Sequence, residues 1–113
     1  MHEYSIASSL LQLAEEHAHK HDAARVVRLE ICVGELGGVE VSLLETAWGL
    51  VRERSLCASA ELVVRPLPAR WECSRCAAPV ERGLVLRCTS CDAPARLAEG
   101  DELVLERIEM EVT

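Results

Sequence analysis

Four cysteines fall in two pairs, Cys73 with Cys76 and Cys88 with Cys91, in the pattern C-x2-C-x11-C-x2-C. Two residues between cysteines let one turn present both sulfurs to a single ion, with backbone N–H groups pointing at the thiolates. Two such turns facing each other complete a tetrahedron with metal–sulfur bonds of about 2.3 Å, the geometry of structural zinc. With all four positions filled by the protein, no bound water is left to activate. A pair of redox dithiols is the competing reading. A rubredoxin-like iron site uses similar pairs, but this loop is short and poor in aromatics.

The opening Met1-His2-Glu3 offers a different chemistry. The free α-amine, the amide nitrogen of His2 and its imidazole Nδ1 can close two fused chelate rings. The amide of residue 3 or a nearby side chain would supply a fourth ligand. A planar nitrogen set of this kind suits Ni(II) or Cu(II). The bland alternative is an exposed histidine. His17 and His21 stand four residues apart and could pinch an ion, against the alternative of a solvated polar face. Cys32 and Cys57 lack a partner pattern and read as buried free thiols.

Several elements must hold these groups. Residues 5 to about 20 read as an amphipathic helix with Ile6, Leu10, Leu13, Ala14 and His17 on one face and Ser5 as N-cap, leaving residues 1–4 as a short leader. Residues 25–33 (RVVRLEICV) are β-branched and read as a strand. Gly34, Gly37 and Gly38 make a turn. Ser42 to Glu45 reads as a capping box opening a second helix that buries Leu44, Ala47, Trp48 and Val51. Residues 60–65 form a second strand that Pro66 and Pro68 should end. Residues 102–112 form a last strand with Ile108, Met110 and Val112 inward. Its parity changes near Arg107, which predicts a bulge.

A strand after the cysteine segment needs sheet partners, and only the first two strands are available. The expected fold is therefore α+β: a small three-stranded sheet with two helices, and an inserted four-cysteine zinc-ribbon-like module. The expected divisions are 1–68 for the first part of the α/β domain, 69–100 for the zinc module and 101–113 for the returning strand.

The chain has 113 residues and a formal net charge of −7, with two tryptophans, one tyrosine and no phenylalanine. A core of Leu, Val and Ala is small, and a metal staple helps such a core. The acidic balance opposes phosphate backbones. Arg70, Arg75, Arg82, Arg87 and Arg96 cluster around the cysteines and are the one support for a nucleic-acid module; a docking face for an acidic protein explains them equally well. No apolar run is long enough to span a membrane. The opening carries an acid where a secretory leader is basic. Paired cysteines of this spacing suit metal ligation in a reducing compartment.

The opening MHEYSIASSLL, the central VGELGGVEVSLLETAW, the pairs CSRC and CTSC, and the closing GDELVLERIEMEV occur in the order of the HypA/HybF family of hydrogenase nickel-insertion proteins, which the chain resembles over nearly its whole length. The resemblance implies a cytoplasmic nickel metallochaperone rather than an enzyme. It would take Ni(II) as transient cargo at Met1, His2 and Glu3, with Glu40 as an outer or additional ligand. Zn(II) would sit at Cys73, Cys76, Cys88 and Cys91. The implied partners are the HypB GTPase and the [NiFe]-hydrogenase large-subunit precursor, with no nucleic acid and no membrane insertion, the chain acting as a monomer or homodimer. Some relatives carry a histidine beside the cysteine pairs, tied to communication between the two metals; this chain has Ala77 and Asp92 there.

Overall fold

The structure, a computed structural model, describes residues 2–83 and 85–112. Its elements are α1 (His2–Lys20), β1 (Ala23–Gly34), α2 (Val41–Val51), β2 (Glu61–Leu67), β3 (Arg70–Cys73), β4 (Pro79–Val80), β5 (Ala95–Glu99) and β6 (Leu103–Val112). They form two three-stranded sheets, ordered β2-β1-β6 and β4-β3-β5. β1 is central in the first, parallel to β2 and antiparallel to β6. Helix α2 supplies the crossover that a parallel pair requires. The cysteine-bearing segment lies in sequence between two strands of one sheet, as expected.

The core joins Val26, Leu29, Ile31 and Val33 of β1 to Leu44, Ala47 and Trp48 of α2 and to Ala7, Leu10, Ala14 and Ala18 of α1. The buried indole donates from Nε1 to the carbonyl of Ala60 at 3.0 Å, so its polar atom is satisfied.

Several local expectations need correction. Helix α1 starts at His2, so there is no separate leader through residue 4 and Ser5 is not its N-cap. Glu3 sits in the first turn, where a negative charge suits the helix dipole. Its buried stripe runs through Ala7 and Ala18, while Leu13 and His17 are exposed. Small alanines permit a close approach to α2 and the sheet, and that outweighs the size of Leu13. The capping box does not form: α2 opens from an extended Glu40 with no side-chain cap, and Ser42 lies inside the helix, its carbonyl accepting from Thr46 Oγ1 at 3.0 Å.

Nor does Pro66 end β2, which continues to Leu67. As β2 is an edge strand, a missing N–H is tolerated there. The bulge expected near Arg107 is present: the pairing jumps from Glu30↔Arg107 to Ile31↔Leu105, leaving Glu106 as the extra residue. Two more register shifts lie toward the far end of this pair, and Val112, expected inward, is exposed.

The two sheets meet at the turn after β1. Gly34 N–H donates to Glu102 O at 2.7 Å, Glu35 N–H to Leu67 O at 2.9 Å, and Leu36 N–H to Gly100 O at 2.7 Å. The approach is close enough that a Cβ on Gly34 would fall 2.3 Å from the Gly100 oxygen. Among the described residues, no helix is long and apolar enough to cross a membrane.

Candidate metal centres

Cys73 ends β3, and the chain then turns back on itself. Its sulfur accepts backbone N–H groups from Arg75 at 3.3 Å and Cys76 at 3.4 Å. Ala77 takes a positive φ of 62° and donates to Cys73 O at 3.0 Å. The second pair repeats this turn. Cys88 Sγ accepts from Cys91 N–H at 3.4 Å, and Asp92, at φ 54°, donates to Cys88 O at 2.9 Å. The two residues that stand beside the cysteine pairs, Ala77 and Asp92, therefore close the turns with left-handed backbone.

The four sulfurs of Cys73, Cys76, Cys88 and Cys91 all lie within 4.8 Å of one another. Cys76 Sγ and Cys88 Sγ are 3.8 Å apart. Bonds of about 2.3 Å to a tetrahedral ion require sulfur–sulfur edges of about 3.8 Å, so this donor set fits zinc. The electrostatics agree. Backbone N–H donation, first from Cys76, draws the Cys73 thiol down to about 6. Contact with the Cys76 sulfur, together with burial, pushes Cys91 up to about 12. Crowded thiols cannot all ionise unaided, and a divalent cation is what lets them. The buried cluster here is Cys73, Cys88 and Ala93, with Val80 and Cys91 packed on it. The cysteines of this donor set are thus most of the local core.

At the start of α1, the Glu3 carboxylate accepts the backbone N–H of Glu40 at 3.2 Å. That bond is the first cause holding the Glu3 carboxyl below its ordinary range. It joins the first turn of α1 to the residue before α2. His2 is exposed and lines an open, mostly apolar cleft of about 320 Å³ with Ile6, Leu10, Leu13 and Leu103. A helix beginning at His2 leaves its first N–H groups without intrahelical acceptors. Met1, named in the nickel ligand set, lies outside the described residues.

Of the five arginines near the cysteines, four are ion-paired: Arg70 with Glu99 at 3.1 Å, Arg82 with Glu35 at 2.7 Å, Arg87 with Asp92 at 3.1 Å and Arg96 with Glu72 at 2.8 Å. A neutralised set of this kind is a weak phosphate trap. Cys32 and Cys57 are buried thiols; burial pushes Cys57 up to about 11 and raises Cys32 as well. Sequence reasoning missed the role of Glu35, whose only signal was an acid set among the glycines of the turn.

A family model described as "Hydrogenase/urease nickel incorporation, metallochaperone, hypA" matches residues 1–110. The chain is 40% identical over 114 residues to a protein of Wolinella succinogenes named hydrogenase maturation factor HypA, covering 98% of this chain and 96% of that one. It is 36% identical over 115 residues to the factor of the same name from Shewanella baltica, covering 98% and 97%. Among solved structures, the solution structure of the Ni metallochaperone HypA from Helicobacter pylori superposes with a TM-score of 0.75 at 31% identity, over 98% of each chain. A second solution structure of a HypA protein gives a TM-score of 0.85 at 32% identity, over 100% of this chain and 98% of the other.

Proposed function

This chain belongs to the HypA family of nickel-incorporation metallochaperones, and from that premise we propose that it takes one Ni(II) at its N-terminus and delivers it for [NiFe]-hydrogenase maturation. The ligands are the α-amine of Met1, the amide and imidazole nitrogens of His2, and a fourth group from Glu3, with Glu40 as an outer or additional ligand. The observation that carries this reading is the hydrogen bond from Glu40 N–H to the Glu3 carboxylate. It gathers both acids at the His2 end of α1, on the surface, where an ion can be received and released. A cargo site has to be exposed; a buried cage would not let go.

Cys73, Cys76, Cys88 and Cys91 hold Zn(II) as a resident structural ion. Residues 69–100 form the zinc module, inserted between the parts 1–68 and 101–113 of the nickel-binding domain. The zinc orders a segment that has little other core, and the protein's own thiolates fill its coordination sphere. No substrate is turned over: the product of this protein's action is nickel in another protein. The receiving partners are the HypB GTPase and the hydrogenase large-subunit precursor. The site of action is the cytoplasm, where paired thiols stay reduced.

The test is a Ni(II) titration of the untagged, zinc-loaded protein followed by absorption spectroscopy. A planar nitrogen field gives a diamagnetic complex with a yellow band, whereas octahedral nickel is paramagnetic and pale. His2→Ala should abolish this complex without changing fold or zinc content. One extra residue before Met1 should impair it too, because the amine becomes an amide. A tagged protein with the same affinity and spectrum would remove the amine from the ligand set. Delivery is tested by the transfer rate: equal nickel loss with and without the partner would argue against direct hand-over.

A further inference from the structure

The far end of α1 carries a second set of metal-capable side chains. His21 N–H donates to His17 O at 3.2 Å, so the helical turn continues through His21 and sets the two histidines one turn apart. Side chains so spaced leave one face with Cβ atoms roughly 5–6 Å apart, close enough for two imidazoles to share an ion. Both residues are exposed. Both line a single open cleft of about 300 Å³, whose other wall is Leu105 to Ile108 and Met110 of β6. The wall is shaped by the bulge at Glu106.

The charged side chains of that wall are engaged elsewhere. Glu106 is bridged to Arg65, and Arg107 lies 3.5 Å from Glu109. Beside these two paired side chains, the donors that the cleft offers are two imidazoles and the thioether of Met110. Neutral nitrogen and sulfur donors select borderline first-row ions such as nickel, zinc or copper, and discriminate against magnesium and calcium. The chain's net charge of −7 favours the approach of any cation.

We infer that His17 and His21 form a second transition-metal site, an imidazole pair whose remaining positions are open to water. At 1.5 Å of rise per residue it stands roughly 22–28 Å from His2, so no ion is shared with the N-terminal ligands. Two protein ligands with water around them make an exchangeable station, unlike the closed four-sulfur centre.

The experiment uses zinc-loaded, untagged His2→Ala protein of full length, titrated with nickel chloride and followed by NMR. Nickel held by two imidazoles and water is octahedral and paramagnetic. The expected result is saturable broadening of the His17 and His21 ring signals and the Met110 methyl, at one ion per chain, with the Glu3 and Glu40 amides left sharp. His17→Ala and His21→Ala should each weaken binding about tenfold or more, while His19→Ala, outside the cleft, should not. All three positions are exposed, so folding is not at issue. Broadening that never saturates, or that is the same in the His17→Ala and His21→Ala proteins, would overturn the assignment in favour of a solvated polar face.

Discussion

The carboxylate of Glu35 receives both arms of the Arg82 guanidinium, Nη1 on Oε1 at 2.7 Å and Nη2 on Oε2 at 2.8 Å, and its Oε1 also accepts the backbone N–H of Ala69 at 2.8 Å. One side chain on the turn after β1 thereby holds the cysteine segment both at its start and in its middle. The same turn runs through Gly38 to Glu40, whose N–H holds Glu3. The two candidate metal centres are thus tied to opposite ends of one short stretch of backbone. Both partners of the ion pair are largely exposed, 58% for Arg82 and 40% for Glu35. An exposed pair adds little to stability, but its two-pronged geometry is directional. Its role is orientation.

Glu35→Gln and Arg82→Ala should therefore leave the thermal midpoint nearly unchanged and loosen the cysteine-bearing sheet relative to the other. Residual dipolar couplings in the two sheets read this directly. The tie also depends on pH. Arg82, and next the Ala69 N–H, hold the Glu35 carboxyl down at about 2, against an ordinary 4.5. The folded arrangement favours the ionised form, so the contribution is complete above about pH 4.5 and is lost as the pH falls toward 2. A carbon-detected titration of the Glu35 carboxyl should find it lower in wild type than in Arg82→Ala, where the Ala69 N–H alone still holds it down.

Glycine substitutions should separate the junction from the rest. Gly100 has φ of +120°, and a Cβ there would lie 2.5 Å from Ala69 Cα. Gly100→Ala should cost about 2 kcal/mol or more, from strained backbone and a clash with main chain that cannot swing aside. Gly49, inside α2, has nothing within 4 Å of its Cβ position. Gly49→Ala should stabilise by about 0.5–1 kcal/mol. Urea unfolding of the two variants should give opposite signs.

The parts legible in sequence were those with local or periodic causes. The four-cysteine spacing pointed to the ligand set because two short turns carry the geometry. That β6 belongs to the first sheet followed from there being only two earlier strands for it to join; its place beside β1 rather than β2 did not. The bulge showed as a change of parity near Arg107. The start of α1 was misjudged because Ser5 is a good cap in isolation, whereas the bond that fastens this end is made by Glu3 to a residue 37 positions away. The Glu35–Arg82 pair spans 47 positions. Contacts of that separation are products of topology and leave no trace in local propensity. Ala77 takes left-handed backbone because the knuckle demands it, whereas Asp92 is of a residue type that enters this region more readily.

Removing the four-cysteine ion should unfold its own surroundings and little else. The buried cluster there is made largely of ligands, so Cys73→Ala or Cys88→Ala takes away ion and core together. Amide dispersion should be lost from β3, β4 and β5, and zinc analysis should fall from one ion per chain to none. Helical circular dichroism should persist, since α1 and α2 pack on β1, Cys57 and Ala60. Native dispersion in β3 and β5 of a zinc-free variant would refute the structural role.

Nickel loading should disturb the Glu3–Glu40 hydrogen bond if the fourth ligand is the Glu3 amide nitrogen. A five-membered chelate ring built on consecutive backbone nitrogens needs an N–Cα–C–N torsion near zero, whereas helical ψ is about −42°. Residue His2 must then rotate out of helical geometry, and Glu3, which follows it in the first turn of α1, must move. The amides being deprotonated cost no helical bond, because the first turn leaves them without acceptors. The carboxylate of Glu3 would be drawn from Glu40 N–H, now at 3.2 Å. The expected observation is a large change in the Glu40 amide shift and faster exchange of that proton on adding one equivalent of Ni(II). If the Glu40 side chain is the fourth ligand instead, the first turn has no reason to rotate. The Glu40 amide should then stay protected, and Glu40→Gln should weaken binding while Glu3→Gln does not.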